Sequence, residues 1–168
     1  MRESELIVHF LSEAELVDSA GAIARRWQAA RCQPLLIGLR GDLGSGKTTW
    51  VRGMLRGLGY AGRVPSPTYT LLEHYEFPPL HVVHLDLYRL TGEDELEDLG
   101  IRDWLAQPAS WMLVEWPERA ARLAQRCDLT LDFDFAERDG RRVTFASTTA
   151  AGTAALRHSH DPNSKYEA

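Results

Sequence analysis

The sequence predicts an α/β domain with a central, mostly parallel sheet, flanking helices and antiparallel hairpins. Three adjoining features carry that prediction. Leu35-Leu36-Ile37-Gly38-Leu39 is a short apolar run of the kind that forms a buried strand. Gly41-Asp42-Leu43-Gly44-Ser45-Gly46-Lys47-Thr48 follows it as a glycine-rich turn. Thr49-Trp50-Val51-Arg52-Gly53-Met54-Leu55 then reads as a helix. A buried strand that feeds a helix through a tight turn is half of a parallel crossover unit.

The remaining elements follow from local chemistry. Glu5 to Phe10 reads as a short strand, and Ser12-Glu13-Ala14-Glu15 is a capping box that opens a helix with apolar residues at Leu16, Ala20, Ile23 and Trp27. After the glycine loop and its helix, Gly57, Gly59 and Gly62 break the periodicity. Val64-Pro65-Ser66-Pro67-Thr68 is a stiff loop, because each proline fixes its own φ and biases its predecessor to extended geometry. Two strands are expected over Tyr69 to Phe77 and Leu80 to Tyr88, joined by Pro78-Pro79. The five carboxylates between Gly92 and Gly100 suit a surface helix or loop. Trp111-Met112-Leu113-Val114 is a second buried-strand run, and Pro117 starts a helix at the position where proline is tolerated. Leu129, Leu131, Phe133 and Phe135 alternate with polar residues, and Val143 and Phe145 continue the pattern beyond the Asp139-Gly140 turn signal. Residues 1–148 are therefore read as one domain, and the small, polar, His-bearing stretch 149–168 as a disordered tail.

Composition sets the outer bounds. A chain of 168 residues suits one domain with one sizeable core. A net charge of −5 offers no electrostatic footprint for gripping nucleic acid unaided, so contact with RNA would be borrowed from partners. Cys32 and Cys127 have no metal-like spacing, the N-terminus lacks a signal-peptide layout, and no apolar run reaches the ~20 residues needed to span a bilayer. The expectation is a cytoplasmic protein with free thiols.

The glycine-rich turn spells G-x-x-x-x-G-K-[ST], a phosphate-binding loop, so the fold expected is P-loop NTPase-like. The chain has seventeen arginines and only two lysines, yet Lys47 occupies the one place where a compact ammonium must reach the β/γ-phosphates of ATP. Backbone N–H groups of Asp42, Leu43, Gly44, Ser45 and Gly46 would cradle phosphate with Lys47, Thr48 and Thr49, and the Thr48 hydroxyl is placed for Mg²⁺. Such a loop needs a carboxylate from the end of a neighbouring core strand. Asp86 ends His81-Val82-Val83-His84-Leu85, and Glu115 ends Trp111 to Val114. Glu115, the longer side chain and pinned by Trp116-Pro117, suits metal contact beside Thr48; Asp86 suits orientation of the metal's water shell or the attacking water. Thr68 is a candidate third element that could sense the γ-phosphate.

Other features read as bland. His81 and His84 point to opposite faces of one strand and cannot share a metal. Arg119, Arg122 and Arg126 make a stripe expected to face solvent. Trp116 suits core or partner contact, since indole offers one donor and neither acid nor base.

Together, Gly41 to Thr49, Ser66-Pro67-Thr68-Tyr69-Thr70-Leu71, His84-Leu85-Asp86-Leu87-Tyr88-Arg89-Leu90, Leu99-Gly100-Ile101 and Glu115-Trp116-Pro117-Glu118 resemble the bacterial tRNA threonylcarbamoyladenosine biosynthesis ATPase family, TsaE (YjeE). The specificity lies in order and spacing, since the loop alone is shared by many NTPases. The resemblance covers residues 5 to 147. It implies a Mg²⁺-dependent ATPase that works with TsaD and TsaB to place threonylcarbamoyl on adenosine 37 of tRNA. No residue is evidently placed as a transition-state arginine, so hydrolysis by the chain alone is expected to be slow and partner-dependent. It also implies that Asp86 and Glu115 are the acidic pair, that Thr68 and Trp116 match further functional positions, and that Arg141, in Gly140-Arg141-Arg142, lies near the nucleotide base. A small-molecule kinase is the alternative for the same loop, although no Arg-dense lid is evident. A regulatory GTPase would need an Asn-Lys-x-Asp base reader, and the one asparagine is Asn163.

Overall fold

A computed structural model describes residues 5–67 and 69–160. The elements run β1 (Glu5–Phe10), α1 (Glu13–Ala29), β2 (Leu35–Arg40), α2 (Lys47–Gly57), β3 (Leu72–Phe77), β4 (Leu80–Asp86), α3 (Asp94–Asp98), α4 (Ile101–Leu105), β5 (Ser110–Glu115), α5 (Ala121–Ala124), β6 (Leu129–Phe135), β7 (Arg141–Ser147) and α6 (Ala150–Ser159). The strands form one seven-stranded sheet in the order β1-β7-β6-β2-β5-β4-β3. The centre is parallel, β6-β2-β5-β4; the antiparallel β3–β4 hairpin completes one edge, and the β6–β7 hairpin followed by antiparallel β1 completes the other. This is the mixed α/β architecture expected from the sequence. No helix among the described residues is long and apolar enough to cross a membrane.

Alternation along the strands divides the core between the two faces of the sheet. On one face Ile37, Leu39, Val82, Trp111 and Leu113 pack with residues of α1, α2 and α6. On the other, Leu36, Val83, Leu85, Met112 and Val114 pack with Leu96 of α3, Ile101 of α4 and Leu123 of α5. Cys32 belongs to the first cluster and Cys127 to the second, and both are unpaired.

The first face is held by an unusually close approach of α1 and α2. A Cβ on Gly57 would lie 2.4 Å from the Gly21 Cα, so glycine is required there by backbone proximity. α1 starts as the capping box predicts, with Ser12 Oγ accepting from the Glu15 N–H. Glu15 reaches back one residue further, to the Leu11 N–H at 2.7 Å.

Three expectations need correction. Residues 150–159 are the helix α6, not disordered tail. Thr149 caps it by accepting from the Gly152 N–H, and the Trp27 indole donates to Ala155 O at 2.9 Å and Ser159 Oγ at 3.1 Å. Arg26 adds bonds to the carbonyls of His158 and Ser159. A composition of small residues suggests disorder only when nothing caps or docks the segment; Ala is also the best helix former. The domain therefore extends through α6. Second, Pro117 opens a single 3₁₀ turn to Arg119 before α5, so Arg119, Arg122 and Arg126 do not share one helix. Third, β3 starts at Leu72, because Leu71 has φ 62° and its N–H turns back to Pro67 O.

Candidate functional site

The phosphate loop leaves the carboxyl end of β2, and the register places both carboxylates beside it. Leu39 is level with Glu115 on β5, which in turn is level with Asp86 on β4. Ligands of open parallel sheets bind at this edge, outside the carboxyl ends of the strands. Parallel neighbours at one level share a face, so Glu115, Asp86 and His84 all project toward α2.

Gly46, at φ 112°, is the residue before α2, and no side chain caps the helix. Its first N–H groups thus remain for an anion, reinforced by the helix dipole. Gly44, at φ 77°, has open space where a Cβ would be. Lys47 is buried and donates to the carbonyls of Gly41 and Asp42, at 2.5 and 2.8 Å, with its ammonium 4.3 Å from the centre of the Trp116 ring. Burial pulls its pKa down, opposed first by Glu115 and then by Asp86. The hydrogen-bond partners of this ammonium among the described residues are all neutral. An anionic ligand would complete its charge, which fits a phosphate.

The two carboxylates are held differently. Glu115 is 3 % exposed; its Oε1 accepts from Thr48 Oγ1 at 2.7 Å and lies 2.8 Å from His84 Nε2. Asp86 accepts from Ser66 Oγ at 2.8 Å and from the Tyr88 N–H at 3.0 Å. Thr48 and Glu115 together offer the hard oxygen donors that Mg²⁺ prefers, on one side of a cavity of about 350 Å³. Asp86, Ser66, Tyr88, Arg89 and Trp116 form other walls of that cavity.

Of the remaining expected residues, Ser45 is buried, and Asp42 contributes its carbonyl to Lys47. Leu43 is exposed at the loop tip, and Thr49 faces the cavity and accepts from Arg52 at 3.4 Å. Arg141 braces the loop from behind, donating from Nε to Ser45 O at 3.0 Å and from Nη2 to Gly44 O at 3.3 Å. It also lines a second cavity of about 400 Å³ that meets the first at Gly44, Gly46 and Thr49. Thr68 lies outside the described residues. Trp116, in a left-handed conformation at φ 58°, turns its indole over Lys47 and against Tyr88.

Two residues that read as bland, or went unread, belong to the site, one behind Glu115 and one in the cavity wall. His84 is fully buried against Glu115, and its Nδ1 has no hydrogen-bond partner. The available signal was its spacing: two residues before Asp86 on a strand means the same face. Arg89 lines the cavity with its guanidinium 4.7 Å from the centre of the Tyr69 ring, whereas the sequence shows no residue evidently placed as a transition-state arginine.

Comparison with known proteins bears on this arrangement. The model of the family described as threonylcarbamoyl adenosine biosynthesis protein TsaE matches residues 11–143. A protein of Haemophilus influenzae named tRNA threonylcarbamoyladenosine biosynthesis protein TsaE is 42% identical over 118 residues, 70% of this chain and 73% of its own length. The protein of the same name from Bacillus subtilis is 37% identical over 112 residues, 67% of this chain and 69% of its own. The crystal structure of Bacillus subtilis YdiB superposes with a TM-score of 0.71 at 24% identity, covering 95% of this chain and 96% of that one. That likeness concerns the fold.

Proposed function

The chain belongs to the TsaE family, and from that premise we propose that it is a Mg²⁺-dependent ATPase serving threonylcarbamoyladenosine formation at adenosine 37 of tRNA, in concert with TsaD and TsaB. The observation that carries the ATPase reading is the Thr48–Glu115 bond beside a lysine whose partners are neutral. A hydroxyl at the start of α2 and a carboxylate at the end of β5 converge at 2.7 Å on the phosphate side of the sheet.

In this reading Lys47 exchanges its two loop carbonyls for β- and γ-phosphate oxygens. The loop N–H groups and the α2 N-terminus hold the remaining phosphate charge. Thr48 and Glu115 are the groups that would hold Mg²⁺. Bound there, the ion would neutralise charge on the β- and γ-phosphates during their separation. His84 keeps the Glu115 carboxylate turned toward Thr48. Asp86, fixed by Ser66 and the Tyr88 N–H, orients the attacking water. The nucleoside would extend toward the second cavity, beside Arg141.

Turnover by the chain alone is slow in this reading, because Arg89 is stacked on the 85% exposed Tyr69. A cation delivered to the transition state on complex formation can be worth ~10³ to 10⁵ in rate. The acidic balance of −5 leaves tRNA contact to the partners. Two unpaired cysteines on opposite faces of the sheet suit a reducing cytoplasm.

The decisive experiment compares ATP hydrolysis and modified-tRNA formation with and without TsaD and TsaB, for the native chain and Lys47→Ala. Stimulated hydrolysis and modification, both lost in Lys47→Ala, is the expected result. Saturating Mg-ATP should also raise stability by about 2.7 kcal/mol at ~100 times Kd. An unchanged melting temperature under those conditions would overturn the ATP reading.

A further inference from the structure

On the sheet face away from the phosphate loop, the β3–β4 hairpin gathers three side chains able to bind a metal. Glu76 and His81 are direct cross-strand partners, and His74 lies two residues from Glu76 on the same strand. All three therefore project from one face. A nitrogen of each histidine and an oxygen of the glutamate lie within 4.8 Å of one another.

The spacing of the two rings suits chelation. His74 Nε2 and His81 Nδ1 are 3.1 Å apart, with the rings stacked at 21°. Two nitrogens that each lie about 2.0–2.1 Å from one zinc ion are separated by roughly 3.1–3.4 Å at near-tetrahedral angles. An ion could replace the hydrogen bond at nearly the same N–N separation, each ring turning a lone pair toward it. Glu76 Oε1 is 4.0 Å from His74 Nδ1, and its side chain is exposed enough to swing inward. Trp104 of α4 packs 4.4 Å from the His74 ring centre, shielding one side with a group that cannot ligate.

We propose that His74, Glu76 and His81 form a binding site for a divalent transition metal such as zinc, which clamps edge strand β3 to β4. Two imidazoles and a carboxylate are a borderline-soft donor set, better suited to zinc than to magnesium or calcium. Three protein ligands leave a fourth position open to water or an outside donor. The site is separate from the phosphate loop. His81 precedes Asp86 by five residues along β4, about 17 Å at ~3.3 Å per residue, and faces the other way.

The test uses the untagged full chain, stripped of metal by chelator and titrated with Co²⁺ by visible absorption and then with Zn²⁺ against a chromophoric competitor. Glu115→Gln serves as a parallel background in which the phosphate-side carboxylate is neutralised. One equivalent should bind, with the ligand-field bands of a four- or five-coordinate site, unchanged in Glu115→Gln. His74→Gln and His81→Gln should each weaken Zn²⁺ at least ~100-fold, and Glu76→Gln about 10-fold. Far-UV circular dichroism of each variant would confirm that it folds. The proposal is overturned if the native chain shows no such Co²⁺ bands, or if Zn²⁺ affinity survives in the folded His74→Gln/His81→Gln double variant.

Discussion

The two faces of the sheet are covered in contrasting ways. One carries α1 with 17 residues, α2 with 11 and α6 with 10, packed over Trp27, Trp50 and Trp111. The other carries helices of five, five and four residues, and no tryptophan in its buried cluster. The side chains proposed to hold phosphate and metal, Lys47, Thr48, Glu115 and Asp86, lie on the first face or at its rim by the carboxyl ends of the strands. A site that must keep a hydroxyl, an ammonium and two carboxylates in register is built where long helices fix positions. The thinner face is as deeply buried at its centre, with Val83, Leu85 and Val114 at 0% exposure, but only short helices cover it.

The sharpest way to break this contrast is to disturb one glycine on each side. Gly57→Val drives a side chain into the Gly21 backbone, where even a Cβ would be at 2.4 Å. We expect a loss exceeding about 4 kcal/mol, so that the domain fails to fold. A Cβ on Gly92, before α3, would meet nothing within 4 Å, and this residue has no positive φ. Gly92→Ala should stay within about 0.5 kcal/mol of native in urea unfolding. Similar losses at both sites would mean that the two faces are equally rigid.

The next prediction sharpens the comparison inside the stronger face. Glu115 is bonded to Thr48 on α2, whereas Asp86 is bonded to Ser66 on the proline-bounded loop and to the Tyr88 N–H. Glu115→Gln should therefore raise the Mg²⁺ concentration needed for ADP binding as well as reducing hydrolysis. Asp86→Asn should reduce kcat about 100-fold or more with ADP affinity largely retained. A Mg²⁺ titration of ADP binding decides between them; a shifted metal requirement in Asp86→Asn alone would exchange the two roles.

Trp27 and Trp50 test what the long helices contribute through hydrogen bonds. Both are fully buried, but the Trp27 N–H donates to Ala155 O and Ser159 Oγ, while the Trp50 Nε1 has no partner. Trp27→Phe removes the donor that ties α1 to α6, although Ser159 Oγ still donates to Ala155 O at 2.9 Å, and should cost about 0.5–1.5 kcal/mol beyond the loss of volume. Trp50→Phe removes an unsatisfied donor and should cost less. Hydrogen exchange confined to α6 should accelerate in Trp27→Phe alone.

These contrasts also explain what could be read from the sequence. The strand, loop and helix around Lys47 were legible because each depends on near neighbours: an apolar run, glycines, and a helical pattern. Asp86 and Glu115 were legible as strand ends, because an apolar run that stops at a carboxylate marks its own boundary. His84 beside Glu115, 31 residues away, depends on the β4–β5 register, which no local pattern states. Ser66 on Asp86 and Arg89 on Tyr69 depend likewise on where a loop folds back. The α6 helix was hidden because its evidence is mostly distant, in Trp27, Arg26 and Asp128.

The smallest expected effect concerns the thinner face at high pH. Cys127, 2% exposed beneath α5, has its thiol pKa pushed up to about 11 by burial, from an ordinary value of 9.0. The folded state thus holds this proton more tightly than the unfolded chain. Stability from this group is fully present below the unfolded value of 9.0 and is lost as pH rises through about 11. At about pH 10 the loss amounts to roughly 1.4 kcal/mol relative to neutral pH. Cys127→Ala should be less stable than the native chain at neutral pH, because it leaves a small void, yet show a shallower decline between about pH 8 and pH 10. Taking the difference of the two slopes cancels the void and every titration that the chains share. Urea unfolding at several pH values measures it. Parallel declines would mean that water already reaches the thiol, and that the face under the short helices is open even in the native state.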